Sequence, residues 1–439
     1  MRTAAALPER ERNRILRRAD WRYLLPDLAP ARALCLGGEA LREACGVISE
    51  QVDDSPRPAV AYDLVVAEDP DDAALRSMAA ALAPAGVAYT EWSRGMFGAA
   101  SRAMRAVQRA GFHAPRAYRP WPSLERCRAW IPTDGPAARW WWRNAIGATR
   151  VRRDQASAAF GAALARLGVH GRLGIIAFGA SASTEPHLVR LARLHDSEPS
   201  MDDLASMLLL TPGERSVGKV IALPFSRSGE PLAAIKTART SQAANGLERE
   251  ADVLDAVHGR HGGALSGAPR VLFRARALDN PVIGESALTG TPLLARLDAS
   301  RYPAIAERVT AWLGALAEPA IGAPGQRVHE RIVSPALDRF ASEFGGVVTA
   351  AQLERTRAVL SALVELPAVA EQRDFSPWNV FEGASGLVVL DWESGEPDGV
   401  PALDLIYFFT HAAYYLEGAW VSGQYELAYR SAWSPDSAI

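Results

Sequence analysis

The sequence predicts an α/β domain followed by an α+β domain, and two observations predict it. Apolar strands and amphipathic helices alternate over residues 1–195 of the 439. Such alternation builds a mostly parallel sheet. The rest of the chain is ordered differently. It shows a strand–turn–strand–helix run between residues 220 and 254, and later an apolar strand that ends in Asp391-Trp392-Glu393.

The first half reads element by element. Ala31 to Gly38 is a strand running into a glycine turn, and Leu41 to Cys45 begins a helix. Tyr62 to Ala67 is a second buried strand. Asp71 to Leu82 is a helix stopped by Pro84-Ala85-Gly86. Val87 to Trp92 is a strand, Ser101 to Ala110 a helix ended by Gly111-Phe112, and Arg172 to Ala177 the last strand of the sheet. Glu50, Asp53 and Asp54 lie in a polar, proline-flanked stretch that reads as loop. Linkers are expected at Ser197 to Ser200 and at Thr211-Pro212-Gly213.

In the second half, Val220 to Phe225 and Pro231 to Lys236 read as strands joined by a turn holding Ser228 and Gly229. Gly246 to Leu254 reads as a helix, because Leu247, Ala251 and Leu254 have helical spacing. Glu250 lies beside that stripe and can face the sheet, whereas Glu248 falls further round. Ile321-Gly322-Ala323-Pro324-Gly325 reads as a loop between helices. Leu387 to Leu390 is apolar and partly β-branched, hence buried, and it leaves Asp391 where the chain exits the sheet. Upstream, Asp374 sits in a turn and Asn379 follows five positions later.

An Asp in a turn, then an Asn, then an Asp closing a strand is the set that phosphoryl transfer needs. One carboxylate orients or deprotonates the attacking hydroxyl; an amide oxygen and a second carboxylate hold magnesium. Each alone is an ordinary turn residue or cap. Lys236 alone is a snorkelling surface lysine, and Glu250 alone an exposed helix charge. Their order makes them specific. Gly213 to Val220 nearly fits a P-loop, but Val220 stands where a Ser or Thr is required, and the segment leads into a strand instead of a helix.

The stretch Gln372-Arg373-Asp374-Phe375-Ser376-Pro377-Trp378-Asn379, with Leu390-Asp391-Trp392-Glu393, resembles the catalytic and metal-binding loops of the aminoglycoside phosphotransferase family, the small-molecule branch of the protein-kinase-like fold. The resemblance covers residues 205 to 439 and implies a bilobal domain, with a small lobe over 196–290 and a large lobe over 291–439. It implies Asp374 as catalytic base, Asn379 and Asp391 as metal ligands, and ATP and Mg2+ as cofactors. It implies Lys236 on the phosphates, Glu250 holding that lysine, and Ser228 and Gly229 at the hairpin tip above the phosphates. Ser-Gly is equally an ordinary hairpin turn. The segment Val282 to Leu288, with Glu285 and Ala287, would present backbone to the nucleobase, and Thr289 to Leu293 would open the large lobe. Gln372 replaces the family's His; an amide also donates and accepts. Asp404 matches a structural Asp. The large lobe is expected to be shortened.

The first half resembles a class I methyltransferase domain of Rossmann-like fold, through Tyr62-Asp63-Leu64-Val65, Leu82 to Val87 and Ala110-Gly111-Phe112. Its cofactor loop is eroded: only Gly37 and Gly38 stand, followed by Glu39. Binding of S-adenosylmethionine is therefore not expected, and the domain is read as degenerate.

Net charge of −2 and 49% apolar residues suit a globular protein with no general attraction to nucleic acid. The three cysteines, Cys35, Cys45 and Cys127, form neither a disulfide framework nor a metal spacing, which points to a cytoplasmic setting. No apolar run suggests a signal peptide or a membrane span. The arginine-rich residues 9 to 22 read as a solvated helix face, and Trp140-Trp141-Trp142 as packing between elements. The expected partner is a small-molecule hydroxyl acceptor. Acidic Glu393, Glu396, Asp398 and Glu417 suit a cationic acceptor, and a neutral sugar fits as well. The oligomeric state is left open. A nucleotide-binding protein without transfer is the second reading, and an active methyltransferase the third.

Overall fold

The computed structural model describes residues 9–93, 98–148, 171–195, 198–212, 218–320, 328–361 and 366–434. The near-P-loop over 213–217 and the proline- and glycine-rich segment 321–325 lie outside the described residues. Two compact units emerge: Met1–Leu247 with Val271–Ala287, and Glu248–Arg270 with Leu288–Ile439.

The first unit is built on one sheet of twelve strands among the described residues. They are β1 (Arg32–Leu36), β2 (Gln51–Asp53), β3 (Tyr62–Glu68), β4 (Leu82–Trp92), β5 (His113–Trp121), β6 (Ala129–Pro132), β7 (Leu173–Phe178), β8 (Leu204–Leu210), β9 (Lys219–Ser226), β10 (Ala234–Ala238), β11 (Val271–Ala277) and β12 (Asn280–Glu285). The sheet order is β11-β12-β10-β9-β8-β6-β5-β7-β4-β3-β1-β2. Helices α1 (Glu9–Arg18), α2 (Glu39–Gly46), α3 (Asp72–Ala81), α4 (Ala99–Arg109), α5 (Gly135–Ala148) and α6 (His187–Leu194) accompany it. Strand β3 shows why its sequence is almost wholly apolar. Leu64 and Val66 enter one core, Val65 and Ala67 another, so both faces are covered. Asp71 caps α3 by accepting the Ala74 N–H at 2.7 Å.

Four sequence expectations change. The sheet is parallel only along β2-β1-β3-β4; from β7 onward every pairing is antiparallel. The polar stretch before Tyr62 contains the short edge strand β2, paired with β1. The division at residue 195 is bridged, because β8 hydrogen-bonds to β6 through Ala129↔Leu210 and Trp130↔Leu209. Strands of the expected small lobe thus continue the first half's sheet. Finally, the arginine-rich segment is not a solvated face. Arg17 donates to the Cys127 carbonyl at 3.0 Å, Arg18 pairs with Glu91, and Asp20 makes a buried two-point pair with Arg239, at 3.0 Å each, just beyond β10. The tryptophan cluster does pack between elements: Trp142 lies 5.6 Å from Trp121 and Trp140 5.3 Å from Phe225.

Helix α7 (Ser241–Arg260) runs from the first unit into the second. The second unit then contains β13 (Thr291–Pro292), α8 (Tyr302–Ala317), α9 (Ser334–Phe344), α10 (Ala350–Ser361), β14 (Val369–Glu371), β15 (Val380–Gly383), β16 (Gly386–Val389), β17 (Glu396–Gly399), α11 (Leu403–Leu416), α12 (Ala419–Ser422) and α13 (Tyr425–Ala432). Strands β13, β15 and β16 form a small antiparallel sheet, and β14 pairs with β17. Phe375, Trp392 and Phe408 are fully buried, with Trp312 of α8 lying against the first two. They anchor the loops on either side of the β15–β16 hairpin. No helix among the described residues is long and apolar enough to cross a membrane.

Candidate active site

In the second unit, the hairpin β15–β16 places residue 379 at its entry and residue 390 at its exit. The Leu390 N–H donates to the Asn379 carbonyl at 3.0 Å. Asn379 and Leu390, the residue before Asp391, are therefore neighbours in the hairpin.

Gln372 stitches the two loops together. Its Nε2 donates to the carbonyls of Leu390, at 3.1 Å, and of Asp391, while its Oε1 accepts the Asp374 N–H at 3.0 Å. A neutral imidazole offers one donor and one acceptor, whereas an amide offers two donors and an acceptor, so this side chain satisfies all three groups. Asp404 supports the loop from α11, accepting the N–H groups of Gln372 at 2.7 Å and Arg373 at 2.9 Å. Burial pushes the Asp404 carboxyl up to about 6, against the two amides that favour its charged form. Arg373 and Asp391 both sit at positive φ, +65° and +66°. Non-glycine residues in that region carry strain and persist where the surroundings hold them. The Gln372 and Asp404 bonds do so here.

Asp374 is engaged at both carboxylate oxygens. Asn379 Nδ2 donates to Oδ2 at 2.7 Å, and the Tyr407 hydroxyl donates to Oδ1 at 3.1 Å. Burial and the adjacent Asp374 push the Tyr407 phenol up to about 12, so it remains a donor at ordinary pH. With Nδ2 of Asn379 occupied, its Oδ1 is the atom a cation would meet. Asn379 and Asp391 then offer two hard oxygen ligands, which suits magnesium, an ion that keeps several waters and takes further oxygens from phosphates. Among the described residues no group of three or more His, Cys, Asp or Glu side chains gathers to hold a metal unaided.

Glu250, wholly buried on α7, accepts the Trp392 N–H at 3.0 Å and so fixes the backbone beside Asp391. Thr291-Pro292 pairs with Phe381 and Glu382, and the Leu294 N–H donates to the Pro377 carbonyl at 2.8 Å. The segment expected to open the large lobe thus packs against the loop that carries Asp374.

In the first unit, Lys236 sits in the middle of β10, and its ammonium pairs with Glu285 at 2.7 Å. Both side chains are buried, at 7% and 1% exposure. Sequence reasoning gave Glu285 only a backbone role and missed this pair. Ala287 is half-buried in irregular backbone just past β12. Ser228 and Gly229 occupy the β9–β10 turn. The Gly229 N–H donates to the Ser226 carbonyl at 3.1 Å, and the Ser226 and Ser228 hydroxyls are 2.7 Å apart. The turn is closed on itself, and a phosphate would have to take these groups from it.

Sequence reasoning also missed Tyr407 and Glu371. Glu371 is buried, accepts Arg373 Nε at 2.8 Å and the Val400 N–H at 2.7 Å, and so ties β14 to the loop that carries Asp374. Tyr407 carried one signal: it lies three positions after Asp404, on the same helix face.

Two positions of the first unit bear on the expected loss of a nucleoside cofactor. Asp53 accepts the Tyr62 hydroxyl at 2.9 Å and pairs with Arg57 at 2.5 Å. A side chain at Gly37 would meet Leu41 at 2.7 Å.

No family model matches the chain, and no curated protein matches it. Among solved structures, the chain is similar to the aminoglycoside phosphotransferase APH(3'')-Id of Streptomyces rimosus, solved with ADP and streptomycin, at 18% identity over 56% of this chain and 90% of that one, TM-score 0.31. It is similar to phosphoethanolamine N-methyltransferase 2 of Haemonchus contortus, solved with S-adenosyl-L-methionine, at 11% identity over 37% of this chain and 52% of that one, TM-score 0.22. It is also similar to the bifunctional kinase-methyltransferase WbdD, at 11% identity over 88% of this chain and 75% of that one, TM-score 0.25.

Proposed function

We propose that this chain is an ATP-dependent phosphotransferase that moves the γ-phosphate to a hydroxyl of a small molecule. The observation that supports it most is the bridge made by Gln372 and Asn379, which brings Asp374, Asn379 and Asp391 together in one hydrogen-bonded cluster. Asp374 takes the proton of the acceptor hydroxyl as its oxygen bonds to the γ-phosphorus, and the bond to the bridging oxygen breaks with ADP leaving. Asn379 Oδ1 and Asp391 hold magnesium, which neutralises phosphate charge when bound. Lys236 binds the α/β phosphates.

Replacing Asp374 with Asn should lower turnover by about 10²–10⁴-fold while leaving nucleotide affinity within about twofold, as expected for loss of a positioned base. Unchanged turnover would remove Asp374 from the role. One observation favours a second reading, nucleotide binding without transfer: both Asp374 oxygens already accept hydrogen bonds.

The first half, whose glycine loop keeps only Gly37 and Gly38 followed by Glu39, is assigned a structural role. Calorimetry with S-adenosylmethionine should show no binding to the full chain; saturable binding at micromolar concentration would overturn that assignment.

A further inference from the structure

The sheet of the first unit has a gap. Strand β6 joins β8 through Ala129↔Leu210 and Trp130↔Leu209 alone, and it ends at Pro132, opposite Tyr118 of β5. The chain then turns through Thr133 and Asp134 into α5. The part of β5 before Tyr118 and the first half of β8 therefore face each other with no strand between them among the described residues. A cavity of about 200 Å³ occupies this gap, lined by residues 115–118, 132–134 and 204–207, with Met104 of α4 and Pro186 at its sides. Strands β7, β4 and β3 stand between β5 and β1, whose end carries Gly37, so the cavity is separate from the cofactor loop.

Most of its polar groups are donors. Arg116 is half-buried, lies over the Phe178 ring at 5.7 Å from the centroid, and donates to the Tyr118 hydroxyl. No carboxylate among the described residues pairs with it. Burial pushes the Tyr118 phenol up, so it stays protonated. Its oxygen accepts from Arg116, and its proton finds no acceptor among the described residues. Ser206 Oγ accepts the Ala137 N–H at 3.0 Å in the first turn of α5, which leaves its own proton to donate. The acid in the lining is Asp134, exposed and near enough to Tyr118 to act on it electrostatically.

Charge and size select the ligand. Arg116 and Asp134 together are neutral. A multiply charged anion such as phosphate would leave the half-buried site strongly negative, which is costly. A zwitterion leaves it neutral and gives each of the two charges a partner. A cavity of about 200 Å³ falls below the roughly 300–1,000 Å³ of drug-sized sites, so the ligand has few heavy atoms. The rest of the lining is largely apolar, with Met104, Pro132, Pro186, Leu204 and Met207.

We propose that this gap binds a free apolar α-amino acid, with its carboxylate on Arg116, Tyr118 and Ser206, its ammonium on Asp134, and its side chain among Met104, Leu204 and Met207. Leucine, methionine, valine and phenylalanine are titrated into the full chain by calorimetry, and at least one should bind saturably. For the tightest of them, the analogue lacking the ammonium and the analogue lacking the carboxylate should each bind at least about tenfold more weakly, the scale of a lost hydrogen bond to a charged group. Inorganic phosphate should not compete. Arg116→Gln should weaken binding about tenfold or more, and Asp134→Asn, at an exposed position, about tenfold. Tyr118→Phe keeps the buried ring and should weaken it about fivefold. Melting temperatures show which variants fold; if Arg116→Gln does not, the other two decide. No saturable binding of any of the four amino acids, binding of phosphate or of either analogue as tight as that of the amino acid, or unchanged affinity in Asp134→Asn or Tyr118→Phe would overturn the proposal.

Discussion

Asp374 and Lys236 are held in opposite ways. Asp374 lies in a web of hydrogen bonds in which Gln372, Asp404, Asn379 and Tyr407 each take a distinct group. Its partners are mostly side chains, Gln372, Asn379 and Tyr407, so the loop is fixed many times over. Lys236 stands on a strand whose backbone is fixed by the sheet, and its ammonium meets Glu285 in a close buried ion pair. A web tolerates loss of one member; a buried ion pair does not, because the remaining charge is left desolvated.

This difference yields two variants with distinct signatures. Glu285→Gln removes the counter-charge at 2.7 Å from Lys236. It should raise the KM for ATP by about ten- to a hundredfold, the scale of a lost hydrogen bond to a charged group, with the magnesium requirement unchanged. Glu250→Ala removes the acceptor of the Trp392 N–H and loosens the backbone beside Asp391. It should raise the magnesium concentration needed for half-maximal activity, by about tenfold, with a smaller change in the KM for ATP. Steady-state kinetics with ATP and magnesium varied independently distinguishes the two. Exchanged signatures would mean that the roles of the two carboxylates are reversed.

A smaller effect follows from pH. The Asp404 carboxyl is raised from 3.8 to about 6, so it holds its proton more tightly in the folded chain than in the unfolded one. The stability it contributes is complete below about pH 4 and is lost as pH rises through about 6. Asp404→Asn should remove that part of the slope in urea denaturation between those limits. It should also lower stability at neutral pH, because the amide nitrogen would face one of the two N–H groups that Asp404 accepts. An unchanged slope would show that Asp404 does not titrate in that window.

The legible parts of the molecule were those written in local order. Strands β1, β3 and β7 follow from apolar runs, and the Asp71 cap from residue type. Asp374, Asn379 and Asp391 stand out because one hairpin separates them, so sequence distance fixes their geometry. What escaped depends on contacts between distant segments. The join of β8 to β6 mates two strand edges, and no periodicity encodes which edges meet. The antiparallel run beyond β4 was missed because an apolar strand looks the same in either direction. Glu285 faces Lys236 only because β12 lies beside β10 in a register that places Ile283 opposite Lys236. Tyr407 meets Asp374 across 33 positions, through the orientation of α11.

Magnesium-dependent ATP binding, compared between the intact chain and Asp391→Asn by titration calorimetry, is the decisive measurement for a phosphotransferase site at Asp391. ATP should bind, magnesium should tighten binding, and the substitution should remove most of the magnesium-dependent part. Equal magnesium dependence in both proteins, or no nucleotide binding in either, would contradict it.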